Sequence, residues 1–398
     1  MKKFIERIIE GALLISSTVT TLTVLLITIF LFKEGISLFN QSPLEGDNII
    51  TVNADNTVEH ISSAQIKNIF DQKITHWDEL GGKKDSIILF TFNDLSTYFS
   101  DDEIGANFEF LPHKIDSLVS NTPGIIAVFS KKYLESNFKG KIVQVENITI
   151  TQFLSGEEWF PTANPAVQLG VLPLILGTLW VSLIAIVIAL PIGLATAIYL
   201  AEVANQKMRN IYKPIIELLA GIPSVVYGFF GLIVIVPMVQ KTFNLPVGET
   251  ALSGSILLAI MALPTIITVS EDAIRNTPRS MKEASLALGA NRWQTIVRVT
   301  IPYSISGISA AAILGIGRAI GETMAVLMVT GNAAVMPHSL LQPVRTIPAT
   351  IAAELGEAPK DGIHYKSLFA LGCILFLITL VINLWVDYIS RKRSNYSK

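Results

Sequence analysis

The chain has 398 residues, 51% of them hydrophobic and only 16% charged, with a mean hydropathy of +0.52 and a formal net charge of −2. A soluble globular domain carries about 25% charged residues, so the composition argues against a soluble enzyme and points to the bilayer. The single cysteine, Cys373, excludes an intramolecular disulfide. The five histidines, at 60, 76, 113, 338 and 364, show no metal-ligand spacing, so no metal site is expected.

About 20 apolar residues cross a bilayer as a helix, and the first candidate is 11–32. Lys2, Lys3 and Arg7 precede it in the manner of a signal peptide. Its apolar run exceeds the roughly 7–15 residues of a signal core, and no small-x-small cleavage site stands out. Residues 1–33 are therefore expected to remain as a transmembrane helix.

Residues 34–165 form a segment too long for an unstructured loop. Apolar and polar residues alternate over 48–52, 87–92, 125–129 and 141–145, as in short strands. Helical spacing over 62–70 places Ile61, Ile66, Ile69 and Phe70 on one side, with Ser62 or Ser63 as N-cap. A small α/β domain of about 100 residues is predicted, just large enough to bury a core. It closes near 153–165, a stretch rich in turn formers.

Two pieces of this insert, ISSAQIKNIFDQKITHWDELGG (61–82) and NTPGIIAVFSKKYL (121–134), resemble the phosphate-binding-protein family. The resemblance implies an Arg and a Ser-Gly-Thr turn between them to hold an oxyanion. The stretch there, TFNDLSTYFS (91–100), has neither Arg nor Gly. Residues 33–168 hold ten lysines, no arginine and nineteen acidic residues, a net charge of −9. Anion recognition favours Arg forks or clustered N–H groups, and an acidic field repels anions. Docking a partner, or a structural role, is favoured over direct phosphate binding.

Five further spans follow, at 169–201, 214–239, 251–270, 304–330 and 367–388. Basic residues orient them. Lys2, Lys3, Arg7, Lys207, Arg209, Lys213, Arg275, Arg279, Lys282, Arg292, Arg298, Arg391, Lys392, Arg393 and Lys398 all fall on one side, which predicts six spans with both termini cytoplasmic. Pro191, Pro223 and Pro264 interrupt three spans and free backbone carbonyls. Ser224 and Tyr227, beside the Pro223 break, are weak candidates for a translocation path. Glu217, Glu271 and Asp272 lie near cytoplasmic ends, where hydration is the ordinary expectation, and Trp293 and Tyr303 suit the membrane interface.

The fifth span carries Arg318 and Glu322, four residues apart and so expected on one helical face. At 1.5 Å per residue, Arg318 sits roughly 20 Å inside the span. A charge there is costly and usually faces a cavity or a partner. Arg318 offers a fork to an oxyanion that Glu322 moderates, with Thr323 beside them; the alternative is a buried pair that fixes helix register. Gly307, Ala311 and Gly315 share the stripe, with Gly317 and Gly321 beside it, as a packing surface.

Between the fourth and fifth spans stands EASLALGANRWQTIVRVTIP (283–302). Residues 283–288 and 292–299 suit two short helices, and Gly289 supplies a sharp turn. The order Glu283-Ala284-Ser285, Gly289, Ile301-Pro302 resembles the EAA loop of bacterial ABC importer permeases, with Ser285 where Ala is usual. LPLILGTLWVSLIAIVIALPIGLATAIYLAE, IIELLAGIPSVVYGFFGLIVIVP and ILGIGRAIGETMAVLMVTGN, in that order, resemble PstC-type permeases of phosphate importers over roughly 150–390.

The resemblance implies an all-α polytopic membrane protein with the type I ABC importer permease fold. It would have six transmembrane helices, an α/β insert outside the cell membrane and a permease core over 166–398. The loop at 276–303 would couple to ATPase subunits through Glu283, Ala284, Ser285, Gly289, Ile301 and Pro302. The implied partners are a second homologous permease, two ATPases that hold ATP and Mg, a phosphate-binding protein and lipid, with no cofactor in this chain. Two alternatives stay open: a permease for sulfate, molybdate or tungstate, and a membrane signalling or scaffold subunit. An autonomous channel leaves the EAA-like loop unexplained. No nucleophile–base pair or Walker motif suggests an enzyme.

Overall fold

The computed structural model describes residues 2–44 and 46–395; Lys398, counted above among the orienting charges, lies outside the described residues. The chain divides into two compact units, one of residues 1–171 with 358–370, the other of 172–357 with 371–398. Among the described residues, six helices are long and apolar enough to cross a membrane.

The first unit opens with α1 (Lys2–Ile36). None of its apolar window is buried within the protein, so its apolar surface is suited to lipid rather than to a core. The hydroxyls of Thr18, Thr20, Thr21, Thr23 and Thr28 each donate to the carbonyl four residues back, which satisfies them without water.

Five strands follow, β1 (Asn48–Val52), β2 (His60–Ile61), β3 (Ile88–Thr91), β4 (Ile125–Ser130) and β5 (Lys141–Val145), ordered β2-β5-β1-β4-β3. β1 runs antiparallel to β4 and β5, whereas β3 runs parallel to β4. β4 reads IIAVFS because both its faces are covered. Ile126 and Val128 join Ile66, Ile69 and Trp77 on one face; Ile125, Ala127 and Phe129 join Leu111, Ile115 and Val119 on the other. The covering helices are α2 (Ser63–Phe70) and, after α3 (Leu95–Tyr98) and α4 (Asp101–Ile104), α5 (Leu111–Asn121). Ser62 caps α2 in a reciprocal box with Gln65. Trp77 Nε1 donates to the Gly124 carbonyl at 2.8 Å, tying the two resembling segments together. Helix α6 (Ile150–Ser155) precedes a hairpin pair that the sequence reading did not predict, β6 (Trp159–Phe160) with β7 (Gln168–Leu169).

The second unit is helical. Helices α7 (Leu172–Ile198), α8 (Gln206–Ala220), α9 (Ser224–Phe230), α10 (Val236–Phe243), α11 (Ala251–Arg275), α12 (Arg279–Ala287), α13 (Arg292–Thr295), α14 (Ile301–Gly321), α15 (Met324–Val329) and α16 (Ile347–Glu354) lead to α17 (Ile363–Asn395), which both units share. Its core joins α7, α11, α14 and α15 through Val181, Ala185, Leu257, Ile266, Ala319 and Val326.

Three π-turns interrupt these helices, at Tyr199–Val203, Gly231–Ile235 and Ile296–Thr300. The last two each stand two residues before a proline, Pro237 and Pro302. A proline ring clashes with the carbonyl four residues back, and a widened turn there relieves the clash. Pro302 therefore lies within a span that runs Arg292–Gly321 rather than at its start.

The structure corrects several expectations. Pro191 and Pro264 sit inside uninterrupted helices; only Pro223 marks a break. The span expected at 214–239 is two elements, α8 and then Ser224–Phe243. The span expected at 304–330 stops at Gly321, because Glu322 leaves the helix with φ −71° and ψ 131°.

Candidate functional site

The loop at 276–303 folds as two helices that meet at Gly289, whose φ of +88° is open to glycine at no steric cost. Glu283, Ala284 and Gly289 are exposed on it, and Leu288 beside them is 90% exposed. Leu288 therefore belongs to the surface of the turn and not to a core. Ser285 turns inward instead: its hydroxyl lies 3.0 Å from that of Thr295 and joins α12 to α13. Ile301 packs near Ala197, Ile274 and Ile308, and Pro302 is exposed. Of the six expected coupling residues, the fold therefore gathers Glu283, Ala284 and Gly289 on the exposed turn, whereas Ser285 and Ile301 fasten the loop to the helices.

Two broken helices meet in the membrane region. The first break, Gly221-Ile222-Pro223, separates α8 from α9 and is bridged by Tyr227, whose hydroxyl donates to the Leu219 carbonyl at 2.8 Å. The second break, Glu322-Thr323, separates α14 from α15. The two come together because Gly228 lets α9 approach Ala325 and Met328 of α15; a Cβ at 228 would lie 2.6 Å from the Met328 sulfur. Arg318 lies one turn before the second break. Ser224 opens α9, half-buried.

Arg318 and Glu322 do not share a helical face, contrary to the four-residue spacing, since Glu322 has already left the helix. Both are half-buried, and neither makes an ion pair or hydrogen bond among the described residues. Thr323 lines an apolar cavity of 490 Å³ with Pro348, Ile351 and Leu355. The packing stripe is confirmed in part. A Cβ on Gly307 would meet Ala273 at 2.3 Å and one on Gly315 would meet Ile266 at 2.9 Å, whereas Gly317 and Gly321 face nothing within 4 Å.

Glu271 was expected to be hydrated; it is 1% exposed. Arg209 reaches it at 2.8 Å, Lys213 at 3.2 Å and Arg275 at 3.7 Å, and Lys213 also reaches Asp272 at 3.3 Å. Burial works against the Lys213 ammonium, yet Glu271 and Asp272 hold its pKa above the usual lysine range. Lys282 on α12 pairs with Glu202 in the π-turn that ends α7. A signal existed: Arg209 and Lys213 are four apart, as are Glu271 and Arg275, so each pair shares a helical face.

The family described as "Binding-protein-dependent transport system inner membrane component" matches residues 189–395. "Probable ABC transporter permease protein YqgH" of Bacillus subtilis (strain 168) is 38% identical over 249 residues, covering 63% of this chain and 80% of its own. "Phosphate transport system permease protein PstC" of Mesorhizobium japonicum is 40% identical over 249 residues, covering 58% and 75%. The protein of the same name from Xylella fastidiosa (strain 9a5c) is 36% identical over 266 residues, covering 61% and 81%.

Proposed function

Because the chain belongs to the family of binding-protein-dependent transport system inner membrane components, as a permease subunit of an ABC importer, we propose that its cargo is phosphate and that Arg318 lies on the route. The observation that carries this reading is the state of Arg318. A guanidinium inside a membrane helix is expensive unless something answers its charge, and no protein group among the described residues does so. A planar fork one turn before a helix break suits a tetrahedral oxyanion, which it can hold through two parallel hydrogen bonds. Glu322, Thr323, Ser224 and Tyr227 would line the same passage. The names of the relatives from Mesorhizobium japonicum and Xylella fastidiosa support phosphate.

The remaining parts follow the same reading. A second homologous permease completes the passage, and an extracytoplasmic phosphate-binding protein delivers the anion. Two ATPase subunits hold ATP and Mg and grip the exposed turn at Glu283, Ala284, Leu288 and Gly289. This chain performs no hydrolysis. The basic side of the spans, which includes both termini, is cytoplasmic, and the acidic insert docks a partner on the other side.

The test is phosphate uptake in cells lacking their own transporter, supplied with this chain and its partner subunits. Arg318→Gln should abolish uptake while the complex still assembles, and Arg318→Lys should restore little of it. Assembled wild-type complexes that move sulfate or molybdate but no phosphate would overturn the cargo.

A further inference from the structure

The α/β insert holds a cavity of 350 Å³ at the carboxyl ends of its parallel strand pair, β3 and β4. That end of a parallel pair is where α/β sheets leave a crevice for ligands. One wall is aromatic. The rings of Phe92 and Tyr133 stack at 5.5 Å and 23°, and Phe108 stands against them at 5.8 Å and 6.4 Å. Phe108 has a φ of +61°, a left-handed conformation that a bulky side chain seldom adopts. The backbone strain falls on the residue that completes the aromatic wall, and strain of this kind gathers at ligand sites.

The lining also carries amides. Asn48, Asn93 and Asn164 line the cavity, and none of their side chains hydrogen-bonds to the protein among the described residues. Thr91, by contrast, is spent on Asp94. No carboxylate lines the cavity, and its one cation, Lys132, rests 4.5 Å above the Tyr133 ring.

We propose that this cavity binds a neutral saccharide unit, its C–H face on the Phe92–Tyr133 pair and its hydroxyls shared among Asn48, Asn93 and Asn164. The lining excludes the other classes in turn. A cationic ligand finds no carboxylate. An anionic one meets the −9 charge of the surrounding segment with a single lysine to offset it. A wholly apolar ligand would strip water from three amides and give nothing back. A sugar hydroxyl both donates and accepts, as a carboxamide does, and the cavity falls in the usual size range for small ligands of roughly 300–1,000 Å³. The sugar is either free or one unit of a surface glycan, and the two sources share this chemistry.

The experiment is calorimetric titration of the full-length protein in lipid nanodiscs with glucose, maltotriose, N-acetylglucosamine and its trimer. Inorganic phosphate and a phenylalanine-containing tetrapeptide serve as rivals. At least one sugar should saturate. Asn93→Ala, at an exposed residue without a protein partner, should weaken it about tenfold or more, as should Phe92→Ala. A trimer that outbinds its monomer marks a glycan source; equal affinity marks the free sugar. The proposal is overturned if no sugar saturates by tens of millimolar, if both variants bind as the parent does, or if phosphate or the peptide takes the site instead.

Discussion

Arg209 and Glu271, 62 residues apart in sequence, meet at 2.8 Å, and the carboxylate that receives the guanidinium is the most deeply buried charge of its cluster, at 1% exposure. Lys213 and Arg275 close on the same group. One carboxylate thus holds α8 against the C-terminal end of α11, next to the loop that α12 begins. Deleting one partner of a buried pair costs about 3–5 kcal/mol. Because the cations here are partly wet, Glu271→Ala should lower stability by about 3 kcal/mol. The apparent melting temperature in detergent reads this, with Glu271→Gln falling between parent and alanine.

The two short helices of the loop offer a second contrast. Ser285→Ala removes one hydroxyl contact to Thr295 and should cost about 1 kcal/mol. Gly289→Val forces a branched residue to a φ of +88° and should cost more, about 1–2 kcal/mol at that residue alone. The informative readout is ATPase stimulation in the assembled complex: Ser285→Ala should retain it and Gly289→Val should lose most of it.

Glycines on α14 separate internal packing from an open face. Gly307→Leu must push α14 off Ala273 and should destabilise the isolated subunit by about 1–3 kcal/mol. Gly317→Leu meets nothing within 4 Å and should leave the isolated subunit unchanged. Co-purification with the second permease should fail for Gly317→Leu if that open face is the subunit contact.

Glu103 gives a pH dependence in the insert. It accepts from the Ser100 backbone N–H, then from Lys114 and from the Ser100 hydroxyl, which together bring its pKa to about 2 from 4.5. A pKa lowered by folding adds stability that is complete above the unfolded value and is lost as pH falls toward the folded one. Protection of the Ser100–Ile104 amides against hydrogen exchange, corrected for intrinsic rates, should therefore drop between about pH 4.5 and 2. Glu103→Gln should flatten that drop.

The insert was the more legible unit. Strands 48–52 and 141–145 were read to the residue, and Ser62 was marked as an N-cap, because short apolar–polar alternation marks a strand and a 3.6-residue period marks a helix that begins at a capping residue. Gly289 was legible because only a positive φ calls for glycine between two polar helices. The breaks in the membrane unit were not. MAVLMV (324–329), after the break, is apolar on every side, so an interrupted helix and a continuous one leave the same pattern. Once the break at Glu322 was missed, the expected pairing with Arg318 followed wrongly from helical spacing. Glu271 looked like an end-of-helix carboxylate because Arg209 and Lys213 reach it from another helix, and the spacing within each helix does not say that the two helices meet.

The π-turn at Ile296–Thr300 sets an angle. One residue added to a helix rotates everything beyond it by about 100°, and this turn stands between the exposed tip at Leu288 and the guanidinium of Arg318. The direction in which Arg318 points relative to that tip is therefore fixed by a count of residues, not by the identity of any one of them. Removing a single residue from 296–300 would leave the composition, hydropathy and length of the span almost untouched and turn the cation toward a different neighbour.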